Sequence, residues 1–98
     1  PRNEFRAFFV KNKLVAMTQQ HWYDIYNYTD EEIDIICNTN IDTLLYKSCC
    51  VDLYMNFDIK KWDIIEYNPT YCSGSGLCPN YYDLLYGSEN KPILYIRI

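Results

Sequence analysis

The chain has 98 residues, of which 49% are hydrophobic and 22% are charged. This length suits one small domain, and this composition is typical of a globular protein rather than a disordered one. The net charge of −4 argues against a nucleic-acid-binding surface, because phosphate binding needs a cationic field. No apolar run approaches the ~20 residues of a membrane-spanning helix. We therefore expect neither a nucleic acid nor a membrane as the partner.

Strand and helix signals follow one another along the first half of the chain. The runs EFRAFFV (4–10) and LVAMTQ (14–19) are apolar, and the polar KNK between them predicts a β-hairpin. The segment HWYDIYN (21–27) predicts a short helix. Thr29 and Glu32 then form a capping-box pattern, and apolar residues behind them repeat at helical spacing. The principal helix is expected to begin there.

The second half of the chain predicts a second hairpin and a final strand. Strands are expected around 50–56 and 62–67, joined by a turn around 57–61. A loop with two glycines follows, then a helical run NYYDLLY (80–86) and a strand ILYIRI (93–98). These elements predict one α+β domain over 1–98, with a mainly antiparallel sheet and one principal helix.

The second hairpin places acidic side chains at the same end of two strands. A turn that is symmetric about Ile59 pairs Asp52 with Glu66 and puts both on one face of the sheet. That face would also carry Tyr54, Trp62, Ile64 and Asn68. Directly opposed carboxylates have Cβ atoms only ~5 Å apart and repel each other, so a compensating charge is expected. A divalent cation would supply it, and the oxygen ligands of Asp, Glu and Asn suit Mg²⁺, which often bridges to nucleotide phosphates.

A second interpretation of the same hairpin contains no site. A register slip of one residue moves Glu66 to the other face of the sheet. Both acids would then lie at a solvated end of the hairpin, and residue spacing alone favours this outcome. The pattern of the hairpin therefore leaves both interpretations open.

The cysteines give little indication of a metal or a disulfide framework. Their number is odd, at five, and no secretory segment is evident, which favours reduced cytosolic thiols and a cytoplasmic location. Cys72 and Cys78 enclose the glycine-containing loop at a spacing that is not typical of zinc ligands. The only histidine, His21, is expected to be an ordinary surface or helix-start residue.

Short motifs occur along the chain in an order that resembles a known family. They are Glu4-Phe5-Arg6, Thr18-Gln19-Gln20, Asp52-Leu53-Tyr54, Trp62, Glu66-Tyr67-Asn68-Pro69 and the run YYDLL at 81–85. This order resembles the cell division cycle protein 123 family, ATP-grasp proteins that help to assemble eukaryotic translation initiation factor 2. The resemblance covers about residues 4–86. It implies the C-terminal subdomain of an ATP-grasp fold and a protein partner, a subunit of that initiation factor.

The resemblance also implies roles for individual residues. Asp52, Glu66 and Asn68 would hold Mg²⁺ against the phosphates of ATP, and no residue is assigned a catalytic role. Arg6 would offer its guanidinium to a phosphate, which its fixed charge and planar geometry suit. The alternative for Arg6 is an ion pair on the strand face with Glu4 or another nearby acid.

Three other side chains of the motifs are expected to be structural or remain open. Gln19 would either contact the nucleotide or pair within the sheet. Tyr54 and Trp62 are expected to be core aromatics rather than groups that stack on adenine.

The chain departs from the family pattern at several positions. Glu66 stands where the family has Asp, Gln20 stands where it has a second Arg, and residues 74–76 replace an expected Thr, Asp and Ser. The N-terminal half of an ATP-grasp fold, with its adenine pocket and phosphate-binding lysine, does not appear in this sequence. We therefore expect a fragment, a half completed by a partner, or a shortened homologue.

Three functions follow from these features. The first is an assembly chaperone that binds ATP and Mg²⁺, indicated by Arg6 and the acidic hairpin. The second is a degenerate protein-interaction module without nucleotide binding, which the changes at Glu66 and Gln20 favour. The third is an ATP-grasp ligase, which would need a second basic cluster near the γ-phosphate that the sequence does not show. The chaperone is our main prediction, and whether it hydrolyses ATP is left open.

Overall fold

The computed structural model describes residues 1–41, 44–68, 76–78 and 93–97. In this part of the chain, five strands form one sheet against which one helix packs, and these elements confirm the α+β class. The elements are β1 (Glu4–Val10), β2 (Lys13–Gln19), α1 (Asp30–Asn38), β3 (Cys49–Asn56), β4 (Lys61–Asn68) and β5 (Ile93–Tyr95). The predicted helix at 80–86 lies outside the described residues.

The strand order of the sheet is β4-β3-β1-β2-β5. The pairs β1–β2, β1–β3 and β3–β4 are antiparallel, whereas β5 runs parallel to β2, so the sheet is mixed. The predicted first hairpin is confirmed, and its two turn residues, Lys11 and Asn12, both have positive φ. A two-residue turn of this kind matches the right-handed twist of the strands that it joins.

The predicted capping box begins helix α1. The side-chain hydroxyl of Thr29 accepts a hydrogen bond from the backbone N–H of Glu32, whose carboxylate accepts one from the N–H of Thr29. These two bonds satisfy donors that a helix start otherwise leaves unpaired. The helix buries Ile36 in the main core. No helix in the described residues is long and apolar enough to cross a membrane.

The sheet separates two apolar clusters, one on each face, because successive side chains along a strand point to opposite faces. The larger cluster lies on the face that α1 covers and contains Phe5, Ala7, Phe9, Met17, Ile36, Cys49, Val51, Leu53, Met55 and Trp62. The smaller cluster lies on the opposite face and contains Phe8, Ala16, Cys50 and Cys78. Because side chains alternate along a strand, Arg6 and Asp52 share the face of Phe8 and Cys50. The candidate site therefore lies on the face opposite α1.

The segment 21–27 is not a helix, so that prediction is wrong. The side-chain amide of Gln19 donates to the backbone oxygens of His21 and Asp24, at 2.8 Å and 2.6 Å. A buried side chain of β2 thus satisfies carbonyls that a helix would have used for its own hydrogen bonds.

The second hairpin has an irregular register that the sequence did not predict. Asp52 pairs with Glu66 as expected, but the register shifts between Asp52 and Leu53, so that Trp62 pairs with Met55 instead of Asn56. This bulge moves Trp62 to the face of α1, away from the acidic pair. Trp62 is a core aromatic as predicted, whereas the prediction for Tyr54 is wrong, because its side chain is 42% exposed.

Candidate functional site

The candidate site is one row of side chains that crosses four neighbouring strands. In register, Glu66 on β4 faces Asp52 on β3, which faces Arg6 on β1, which faces Thr18 on β2. Asn68 lies two positions beyond Glu66 on β4 and pairs with Cys50. The fold therefore brings together all four residues that the sequence singled out, Arg6, Asp52, Glu66 and Asn68.

Asp52 is the centre of a hydrogen-bond network. The guanidinium of Arg6 donates from Nε to Oδ1 at 2.8 Å and from Nη2 to Oδ2 at 3.2 Å. The amide of Asn68 donates from Nδ2 to Oδ2 at 3.0 Å. The Asp52 side chain is only 9% exposed, and burying a carboxylate in this way is tolerated because it is both paired and hydrogen-bonded. Glu66, in contrast, is exposed.

Arg6 supplies the positive charge that the opposed carboxylates were expected to need. Its hydrogen bond to Asp52, together with the nearby negative charge of Glu66, raises the pKa of Arg6 above the ordinary value of a guanidinium. The sequence offered a divalent cation for this task, and it offered an ion pair with a nearby acid as the alternative for Arg6. The structure contains that ion pair, and Asp52 rather than Glu4 is the acid.

The site has a donor set whose chemistry fits Mg²⁺. Two carboxylates and one amide on adjacent strands offer oxygen ligands only, which hard cations prefer. The Asn68 amide uses its nitrogen to bind Asp52, so its oxygen is not needed for that bond. Among the described residues, no three His, Cys, Asp or Glu side chains cluster as a metal group, so a cation here would rely on the amide and on water. The roles of Asp52, Glu66 and Asn68 as metal ligands stay predictions.

An open cavity of about 160 Å³ adjoins the row on the side of β2. It is lined by Arg6, Thr18, Gln19, Gln20, Trp22 and Gly76. Arg6 is the one charged side chain among these six, so the cavity has a positive wall next to the acidic pair. The sequence did not single out Trp22 or Gly76 as site residues, since both belong to segments that only the tertiary fold brings to β1.

Two of the lining residues hold the walls of this cavity in place. Gln19 is fully buried, and its side-chain oxygen Oε1 accepts the backbone N–H of Arg97 at 2.7 Å, while its side-chain nitrogen Nε2 donates to the loop after β2. This agrees with the structural alternative for Gln19 rather than with nucleotide contact. Thr18 accepts the backbone N–H of Leu77 at 3.0 Å through its hydroxyl and so fixes residues 76–78 against the sheet.

The thiols near the site lie in an apolar environment. Cys50 and Cys78 belong to the smaller apolar cluster, and Cys37, Cys49 and Cys78 carry free thiols. Burial, with a smaller effect from Cys50, raises the pKa of Cys78 to about 12. A thiol with so high a pKa is almost entirely protonated near neutral pH and is a poor nucleophile or metal ligand.

A family model matches this sequence, and solved structures match this fold. The D123 family model matches residues 1–96. The chain belongs to the D123 family. Two structures of Cdc123 from Schizosaccharomyces pombe, one of them truncated at its C-terminus, match with TM-scores of 0.68 and 0.67 at 23% and 22% identity. No curated protein sequence matches.

The match to the solved structures covers nearly all of this chain but less than half of theirs. It includes 99% of this chain and 41% of each Cdc123 chain. The family that the sequence motifs indicated is thereby confirmed, and the structural likeness shows a shared fold. The chain spans about two fifths of the length of those Cdc123 chains.

Proposed function

We propose that this chain binds Mg²⁺-ATP at the row formed by Arg6, Asp52, Glu66 and Asn68 and acts as an assembly chaperone. One observation carries the proposal: two facing carboxylates and an amide lie on paired strands, directly beside an arginine. The carboxylates suit the cation, and the guanidinium suits a phosphate. Mg²⁺ would be held by Asp52, Glu66 and Asn68, and when bound it would neutralise the phosphate charge.

The chaperone part of the proposal rests on the family. Membership of the D123 family, together with the likeness to Cdc123, supports a protein partner in general. We propose a subunit of eukaryotic translation initiation factor 2 as that partner, as the sequence motifs imply. Binding of the nucleotide would order the surface that contacts the partner, and the remaining part of an ATP-grasp fold would have to close over the nucleotide.

The test is calorimetric titration of the chain with Mg²⁺-ATP. We expect saturable binding that is lost in Asp52→Asn and in Glu66→Ala. The matched control is Asp58→Ala, which removes an exposed carboxylate from the turn of the same hairpin and should bind as the unmodified chain does. Absence of heat from a chain that circular dichroism shows to be folded would refute nucleotide binding by these residues alone.

A second candidate function is a protein-interaction module without nucleotide binding. The observation that favours it is that Arg6 and Asn68 already occupy both oxygens of Asp52, so this buried carboxylate is paired without a cation. Gln20 in place of the second Arg of the family pattern points the same way. Purified initiation-factor subunits that bind equally well to the unmodified chain and to Asp52→Asn, with no effect of Mg²⁺-ATP, would favour this function.

A further inference from the structure

Arg6 lies between two different chemical environments. On one side, its guanidinium makes two hydrogen bonds to the carboxylate of Asp52. On the other side, it lines the cavity that Thr18, Gln20 and Trp22 also border. Its single charged group thus borders both the acid and the cavity in which a ligand could bind.

The contact between Arg6 and Asp52 opposes the binding of a cation at the acidic row. Oδ1 accepts from Nε of Arg6, and Oδ2 accepts from both Arg6 and Asn68. A carboxylate has about four lone-pair sites, and three of them are used here. A divalent cation that reached the remaining site would also face the positive charge of Arg6 at short range. The repulsion would be strong, because both Arg6 and Asp52 are largely shielded from water.

The cavity offers Arg6 an alternative partner. Its volume of about 160 Å³ corresponds to roughly five water molecules at ~30 Å³ each, which is enough for a phosphoryl group. The side-chain amide of Gln19 is already committed to the loop after β2 and to Arg97, so a phosphoryl group in the cavity would have to draw its donors from Arg6, away from Asp52, and from Gln20. A doubly charged phosphoryl oxygen group would compete with the single charge of Asp52 for the guanidinium.

We infer that Arg6 exchanges partners when the site is loaded: it neutralises Asp52 in the absence of ligand, and an anionic phosphoryl group in the cavity draws it away so that the cation gains Asp52. This inference rests on the proposed function. Its consequence is that anion and cation bind cooperatively, since each relieves the cost that Arg6 imposes on the other. Arg6 then weakens the binding of a metal alone and strengthens the binding of a nucleotide.

The test uses the full chain, with Mn²⁺ alone as one probe and ATP in the presence of EDTA as the other. Free Mn²⁺ is measured by electron paramagnetic resonance, and ATP binding by calorimetry. We expect Arg6→Gln to bind Mn²⁺ about fivefold or more tightly than the unmodified chain, which is the lower end of usual coupling between sites. The same variant should bind metal-free ATP at least fivefold more weakly.

The control is Arg2→Gln. Arg2 also makes two hydrogen bonds to one carboxylate, that of Glu32, but this pair lies at the start of helix α1. Its replacement removes the same unit of charge, so a general effect of net charge on Mn²⁺ binding would appear in both variants. We expect the control to bind both probes within twofold of the unmodified chain.

Each outcome decides between the alternatives. If the unmodified chain binds Mg²⁺-ATP but Arg6→Gln binds Mn²⁺ no more tightly, the exchange is wrong while the proposed function stands. If no variant binds Mn²⁺ or Mg²⁺-ATP, both are wrong. Should Arg6→Gln fail to fold, Arg6→Lys replaces it. Arg6→Lys keeps the positive charge but cannot form the two parallel hydrogen bonds to Asp52. If this variant binds both Mn²⁺ and metal-free ATP as tightly as the unmodified chain does, the exchange is wrong.

Discussion

Arg2 and Glu32 join the beginning of the chain to the first turn of helix α1 through two hydrogen bonds of 2.8 Å and 2.9 Å. The guanidinium of Arg2 also lies over the ring of Tyr28, at 5.0 Å from its centroid, and the hydroxyl of Tyr28 donates to the backbone oxygen of Arg2. Glu32 is at the same time the residue at position N3 of the helix, whose side chain completes the capping box with Thr29. One carboxylate therefore both caps the helix and ties it to the segment that leads into β1, the strand that carries Arg6.

The first prediction concerns the loss of stability in acid. The hydrogen bond from Arg2, followed by that from the Thr29 backbone, lowers the pKa of Glu32 from 4.5 to about 2. The folded state thus binds this proton less readily than the unfolded state. The stability that results is fully present above pH 4.5 and is lost as the pH falls towards 2. Because the pair is partly exposed, we expect its contribution to be about 1 kcal/mol.

The measurement for this prediction is the free energy of unfolding in urea between pH 7 and pH 2. Glu32→Gln should be about 1 kcal/mol less stable at pH 7 and should show a smaller loss below pH 4.5. Glu31→Gln, which removes an exposed carboxylate from the same helix turn, serves as the control. It should lose as much stability in acid as the unmodified chain does. If the free energy of unfolding falls equally steeply below pH 4.5 in Glu32→Gln and Glu31→Gln, the role of Glu32 is contradicted.

The second prediction concerns the close approach of Gly76 to Thr18. Gly76 has φ of +61°, and a Cβ added there would lie 2.6 Å from Cγ2 and 2.8 Å from Oγ1 of Thr18. Thr18 is buried and accepts the N–H of Leu77, so it cannot easily move aside. Gly76→Ala should therefore cost about 1–3 kcal/mol of stability.

A double-mutant cycle tests the cause of that cost. Thr18→Ser removes Cγ2 but keeps the hydroxyl that holds Leu77, so Gly76→Ala should cost less in the Thr18→Ser background than in the unmodified chain. The strain of a positive φ would remain in both backgrounds. If the losses of stability from the two substitutions simply add, the contact with Thr18 is not the cause of the cost of Gly76→Ala.

The third prediction compares the two tryptophans. Trp62 packs edge-on against Phe5 at 5.7 Å, and its indole N–H donates to the backbone oxygen of Thr39 at 3.0 Å. Trp62→Phe should destabilise the chain by about 1–3 kcal/mol, because the carbonyl at 39 loses its partner. Trp22 is 50% exposed, so Trp22→Phe should change stability by less than about 0.5 kcal/mol.

Fluorescence provides a second measurement of the same difference. In Trp22→Phe the remaining emission comes from Trp62, so it should be shifted to the blue and shift to the red on unfolding. In Trp62→Phe the remaining emission comes from the exposed Trp22 and should change little in wavelength. Similar spectra for the two folded variants would mean that Trp62 is not buried.

Local patterns in the sequence were sufficient where neighbouring residues determine the structure. The turn at 11–12, the capping box of Thr29 and Glu32, and the pairing of Asp52 with Glu66 all depend on residues close in the chain. The family motifs were confirmed by the D123 match. These features follow from short-range hydrogen bonding and alternation, which a single sequence contains.

Other features could not be read from local patterns because distant residues decide them. Because of the bulge beside Asp52, Trp62 lies on the face that α1 covers and packs against Phe5. Nothing in the sequence of the hairpin itself indicates the extra residue. The loop after β2 was predicted as a helix, but the buried amide of Gln19 holds it in another conformation. The partner of Arg6 required the register between β1 and β3, which are separated by 38 residues of chain from Val10 to Cys49.

The last prediction concerns the length of the acidic side chain on β4. Glu66 faces Asp52 in register, and the family pattern has the shorter Asp at this position. Mg²⁺ requires near-ideal octahedral geometry, so in the proposed site an arm that is one methylene longer would displace the carboxylate from the position that the opposed Asp52 defines. Glu66→Asp should therefore bind Mg²⁺-ATP about tenfold more tightly than the unmodified chain, the scale on which the support of a metal ligand usually acts.

Calorimetry with Mg²⁺-ATP, and with ATP in EDTA, measures this change. The gain in affinity of Glu66→Asp should vanish in EDTA, because in the proposed site the carboxylate would act on the nucleotide only through the cation. Asp63→Glu, which changes the length of an exposed acid on the same strand without facing Asp52, is the matched control and should leave the affinity within twofold. A gain that persists in EDTA would mean that position 66 acts on the nucleotide directly. An affinity that falls in Glu66→Asp would mean that the longer side chain is the one adapted to this row.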